Sequence, residues 1–134
     1  MQVFYKIIQE ASKLFNNFDF YDSFISEIHH NNKTDSPSGT ALSLANIIIK
    51  NIASKKTIID ENINRKILSS ELHVSSLRGG NIFGQHNVYF DSEADTIQLI
   101  HNAKNRTGFA MGTILAAKFI YNKKGFYNLE DILF

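Results

Sequence analysis

Residues 20–52 limit what this chain can fold into more than any other stretch. In an extended segment, Phe20, Phe24 and Ile28 fall on one side and Tyr21, Ile25 and His29 on the other. Both sides carry apolar side chains, so the spacing predicts a strand over 20–30 that is covered on each face. His29 and His30 then point to opposite faces. Residues 31–36 are polar loop. A helix start follows, with Ser36 as cap and Pro37 in the first turn, or alternatively a start at Ser38. The helix runs over 41–52, with Leu42, Ala45, Ile48, Ile49 and Ile52 inward. Its β-branched run at 47–49 weakens intrinsic helix propensity, so tertiary packing must supply the difference.

The remaining segments fit around this unit. Val3, Phe4, Ile7, Ile8, Ala11, Leu14 and Phe15 repeat at helical spacing over 3–16, and Asn16 and Asn17 end the helix. That helix begins directly after Met1 with no cap residue, as expected of a chain that once continued upstream or was cut there. Residues 54–70, rich in Lys, Asn and Ser, predict a surface connection without regular structure. The pairs Lys55–Lys56 and Lys123–Lys124 read as solvated surface. A strand over 71–77, with Leu72 and Val74 on one face, is broken by Arg78, Gly79 and Gly80. Residues 84–90 and 96–103 alternate as an antiparallel hairpin around 91–95. A last helix is predicted over 107–122, with Phe109, Ile114, Leu115, Ala117 and Phe119 among its apolar positions. Gly112 would serve close packing there and Gly125 would cap its end, before 126–134 closes the chain. The order α-β-α-β-β-β-α predicts one α+β domain over 1–134. Its sheet would be mostly antiparallel or mixed, covered by helices on one face, with the other face used for oligomerisation.

Composition narrows the function classes. A hydrophobic share of 43% against 20% charged residues is that of an ordinary soluble globular domain. A net charge of +1 lacks the basic excess of a nucleic-acid footprint. The absence of cysteine excludes disulfides, thiolate metal sites and a cysteine nucleophile, and it fits a reducing cytoplasm. No signal peptide is visible, and every apolar run is interrupted well short of the ~20 residues of a membrane span. The chain is read as cytoplasmic.

The densest chemistry lies at 27–40. His29, His30 and Lys33 bring two imidazoles and an ammonium beside a helix N-terminus, where Gly39 and Thr40 offer free backbone N–H groups. Cations and unpaired amides at the positive end of a helix make an anion site, and histidine and lysine can deliver protons. Histidines that merely satisfy local hydrogen bonds are the commoner case; the company of Lys33 and the helix start favours a carboxylate site. His29 and His30 with Asp35 do not make a metal site, because adjacent strand residues diverge and three or four convergent ligands are needed. Residues 79–84 have the wrong glycine spacing for a dinucleotide fingerprint, and neither a P-loop nor G-x-S-x-G occurs. His86 and His101 are read as structural.

The motif E-x-H-H-x-x-K-x-D-S-P-S-G-T-A-L at 27–42 closely resembles the signature of the dihydrodipicolinate reductase family. Residues 78–86 resemble that family's R-x-G-x-x-x-G-x-H, residues 100–110 with Gly112 its last conserved block, and residues 125–133 its C-terminal end. Ser36 stands where the family often has Ala. The resemblance implies the substrate-binding and tetramer-forming part of an enzyme of lysine and diaminopimelate synthesis, without its Rossmann domain. By that resemblance His29 is a proton donor or acceptor, Lys33 the proton donor, and His30, Gly39 and Thr40 hold a cyclic dicarboxylate. Arg106 and Phe109 match positions near the cofactor, NADPH or NADH, which a nucleotide-binding domain absent from these residues, or supplied separately, would bind. A non-catalytic remnant that serves as a dicarboxylate-binding or assembly module is the alternative.

Overall fold

A computed structural model of the chain describes residues 1–133; Phe134, at the end of the predicted closing segment, lies outside them. The elements are α1 (Gln2–Phe15), β1 (Asp22–His29), α2 (Gly39–Asn51), β2 (Thr57–Ile59), β3 (Glu71–Arg78), β4 (Gln85–Asp91), β5 (Thr96–Asn102), α3 (Thr107–Ile120) and α4 (Leu129–Leu133). One five-stranded mixed sheet has the order β2-β3-β1-β4-β5. β1, the first strand in sequence, lies at its centre, parallel to β3 and antiparallel to β4. The predicted hairpin is β4–β5. The fold is the expected α+β arrangement.

α1 and α2 lie on the same face of the sheet. Phe4, Ile8, Leu44, Ala45 and Ile48 close over Ile25, Leu72, Val74, Val88 and Phe90, and all of them are buried. Ile25, Glu27 and His29 alternate into this face, as the period of a strand requires. On the opposite face Phe24 stacks on Tyr89 with ring centroids 4.5 Å apart, and among the described residues no helix lies over it.

Several expectations need correction. β1 starts at Asp22 rather than at residue 20, because the chain turns just before it: the Tyr21 amide donates to the Phe18 carbonyl at 3.3 Å. Of the two helix starts, the one at Ser38 holds and the one with Ser36 as cap does not: the Ser38 hydroxyl accepts from the Ala41 amide at 3.1 Å, while Pro37 is buried before the helix. Within 54–70, β2 pairs in parallel with β3. Lys55 is buried rather than solvated, because Asp22 and the carbonyls of Ser69 and Glu71 take up its ammonium. Gly112 serves no close packing, since among the described residues a Cβ there would meet nothing within 4 Å beyond its own helix turn. The last helix stops at Ile120, and the residue that turns the chain just after it is Asn122 (φ 61°) rather than Gly125, which lies farther on at φ 129°.

Candidate functional site

The centre of the site is Glu27, a buried carboxylate at the C-terminal end of the central strand. Its Oε1 accepts from the Ser38 amide, the Ser76 hydroxyl and Arg78 Nη2, each at 2.8 Å. Its Oε2 accepts from the Ser38 hydroxyl, with His29 Nδ1 at 3.2 Å and His86 Nε2 at 3.5 Å. The register explains this convergence. Glu27 stands opposite Ser76 on β3 and His86 on β4, and paired residues share a face. Burial pushes the Glu27 carboxyl up, but hydrogen bonds from His86, Ser38 and Arg78 outweigh it and hold the group far below the ordinary carboxylate range.

His29 is buried with its ring edge-on to His86, centroids 5.1 Å apart. Burial pulls its proton affinity down; Glu27 opposes this, while His86, Lys33 and Arg78 add to the depression. Arg78 ties the site to the following loop, since Nη2 also donates to the Asp35 carbonyl at 2.7 Å. Lys33 pairs with the Asp35 carboxylate at 2.7 Å and holds that carboxyl below its usual range. The segment 79–84 runs alongside: the His30 amide donates to the Ile82 carbonyl at 2.7 Å and the Gly79 amide to the His29 carbonyl at 2.9 Å.

The predicted residues therefore separate into two groups. His29, Lys33 and the start of α2 at Gly39 are joined through Glu27, Ser38, Arg78 and Asp35, with His30 beginning the loop between them. Thr40, one residue into α2, lines a cavity of about 600 Å³ between α1 and the C-terminal helices, and Phe109 shares it. Arg106, the residue before α3, is exposed. Sequence reasoning missed Glu27, Ser76 and Arg78 as site members and placed His86 outside the site. Glu27 sits two residues before His29 on the same strand face, a signal that was available; the pairing that brings His86 opposite it was not. One ligand atom each of Glu27, His29 and His86 lie within 4.8 Å of one another, the spacing of a metal site. Both carboxylate oxygens are already occupied, one of them by a guanidinium, so the cluster is built as a hydrogen-bonded hub.

The family profile described as dihydrodipicolinate reductase, C-terminus, matches residues 1–133. The chain belongs to this family. It is 41% identical to the 4-hydroxy-tetrahydrodipicolinate reductase of Archaeoglobus fulgidus over 138 residues, covering 99% of this chain and 52% of that one. With the reductase of the same name from Aquifex aeolicus the identity is 37%, over 99% of this chain and 50% of that one. The chain thus spans about half the length of the curated relatives it matches. A dipicolinate-bound dihydrodipicolinate reductase from Paenisporosarcina sp. TG-14 shares the fold, with a TM-score of 0.68 and 24% identity over 98% of this chain and 51% of that one. Among the described residues, no helix is long and apolar enough to cross a membrane.

Proposed function

We propose that this chain is the substrate-binding and catalytic-residue half of a reductase converting 4-hydroxy-tetrahydrodipicolinate to tetrahydrodipicolinate in lysine and diaminopimelate biosynthesis. The observation that carries the reading is the attachment of His29 and the α2 N-terminus to one buried carboxylate, inside the segment that bears the family signature. In this reading a cyclic dicarboxylate lies against the first turn of α2. Gly39 and Thr40 offer amides to one carboxylate there, and His30 and Lys33 hold the rest of the ring. Charge-assisted hydrogen bonds of this kind contribute about 1.5–3 kcal/mol each. NADPH or NADH, bound by a domain outside these residues with Arg106 and Phe109 alongside, supplies a hydride. Lys33 or His29 then protonates the ring atom made basic by that transfer. The uncovered sheet face is assigned to homotetramer assembly and the protein to the cytoplasm.

The test mixes the chain with a separately produced nucleotide-binding domain of a related reductase and follows NADPH oxidation with substrate. Turnover that Lys33→Ala abolishes supports the proposal. Silence from a folded pair that still binds pyridine-2,6-dicarboxylate points instead to the remnant that binds diacids without catalysis.

A further inference from the structure

His29 is held from two sides in a way that the proton-transfer role does not by itself require. Nδ1 is buried, and among the described residues no group makes an aligned hydrogen bond to it; the Glu27 carboxylate, at 3.2 Å, is off the ideal N–H direction but is the acceptor beside it. An unprotonated Nδ1 would hold its lone pair 3.2 Å from an ionised carboxylate oxygen, which is repulsive at this distance. The ring's other nitrogen faces Gly84. A Cβ built on Gly84 would fall 2.9 Å from His29 Nε2, and the backbone there has φ +152°, a conformation that side-chain-bearing residues rarely adopt. The missing side chain leaves clear the space next to Nε2. The other charged or titratable groups around the ring are Arg78 from β3, His86 from β4 and Lys33 from the loop after β1.

We propose that Glu27 is the positioning residue for His29: it keeps the proton on Nδ1, so that Nε2, left open by Gly84, is the atom that exchanges a proton with the bound diacid. The part played by the diacid rests on the function proposed above; the state of the ring does not. Ser38 extends the same carboxylate's reach to α2, so Glu27 sets the imidazole and the anion-binding amides in one frame. A merely structural glutamate would leave the tautomer of His29 unchanged when replaced by its amide.

The test is side-chain 15N–13C correlation spectroscopy of the full chain, with pH titration, for the wild type, Glu27→Gln and Gly84→Ala. In the wild type, neutral His29 should carry its proton on Nδ1. In Glu27→Gln the titration midpoint of His29 should fall by about one pH unit, a tenfold loss of proton affinity, and the tautomer should become mixed. In Gly84→Ala, Nδ1 should stay protonated while pyridine-2,6-dicarboxylate binding weakens at least about tenfold, for a displaced or blocked Nε2. A wild-type ring protonated on Nε2 overturns the proposal even if Glu27→Gln does not fold. A folded Glu27→Gln chain with unchanged tautomer and midpoint overturns it equally. If the ring state is as described but millimolar diacid leaves Nε2 unmoved, the functional reading fails and the positioning role of Glu27 stands.

Discussion

The sheet with α1 and α2 and the C-terminal pair α3–α4 are both rich in apolar residues, yet only the first has a core. Phe90, Ile8, Leu44 and Ile48 are fully buried, whereas no residue of α3 is buried and Phe109, Met111, Ile114, Leu115 and Ile120 are half exposed or more. The difference teaches that composition makes a helix sticky without deciding what it sticks to. α1 and α2 find the sheet; α3 packs chiefly on α4 and shares a cavity with the start of α1. The curated relatives named above are about twice as long as this chain.

The largest effect that tests this contrast is a pair of matched truncations. Phe90→Ala should cost about 3–5 kcal/mol in urea unfolding. Phe109→Ala should change stability by less than about 0.5 kcal/mol in the same chain. Equal costs would mean that α3 is packed as tightly as the sheet. Next in size is Arg78→Met, which strips Glu27 of its guanidinium and leaves the carboxylate buried; a loss on the order of 3 kcal/mol is expected from the unfolding midpoint. Amide hydrogen exchange sharpens the contrast without mutation: amides inside α3 should exchange orders of magnitude faster than those of Leu44–Ile48 in α2, and a bound nucleotide domain should slow α3 alone.

A smaller effect is the pH dependence of the sheet region. Burial lowers His29 and His101 below the usual 6.5, so the unfolded chain binds more protons and stability falls as pH drops below that value. Arg65 holds Glu71 at about 2 against an ordinary 4.5; its contribution is complete above 4.5 and is lost as pH falls through 2. Arg65→Met should therefore flatten the acid limb of a thermal-melt series between those values. An acid limb identical to the wild type would remove Glu71 from the account.

The alternating strands, the amphipathic α1 and the hairpin could all be read from local periodicity, because each advertises its buried face within a few residues. β2 could not. Thr57, Ile58 and Ile59 become a strand only because β3 offers a parallel edge, and nothing within three residues announces that. Lys55 misled for a related reason: its long stem reaches acceptors contributed by Asp22, Ser69 and Glu71, from separate segments. Ser36 and Ser38 are equivalent as caps by sequence. The distant Glu27 carboxylate discriminates between them by taking the Ser38 amide and hydroxyl. The site itself was half legible, in its motif residues; the groups that came from β3 and β4 required the register.

The central position of β1 has a consequence for how the chain matures. It leaves the ribosome before either of the strands that flank it, β3 and β4. Until they arrive its polar backbone has only water and transient partners, so nascent α1 and α2 must shelter its apolar residues alone. Loop-closure entropy delays such long-range pairing, and folding of this domain should be limited by the docking of β3 and the β4–β5 hairpin onto a strand already waiting for them.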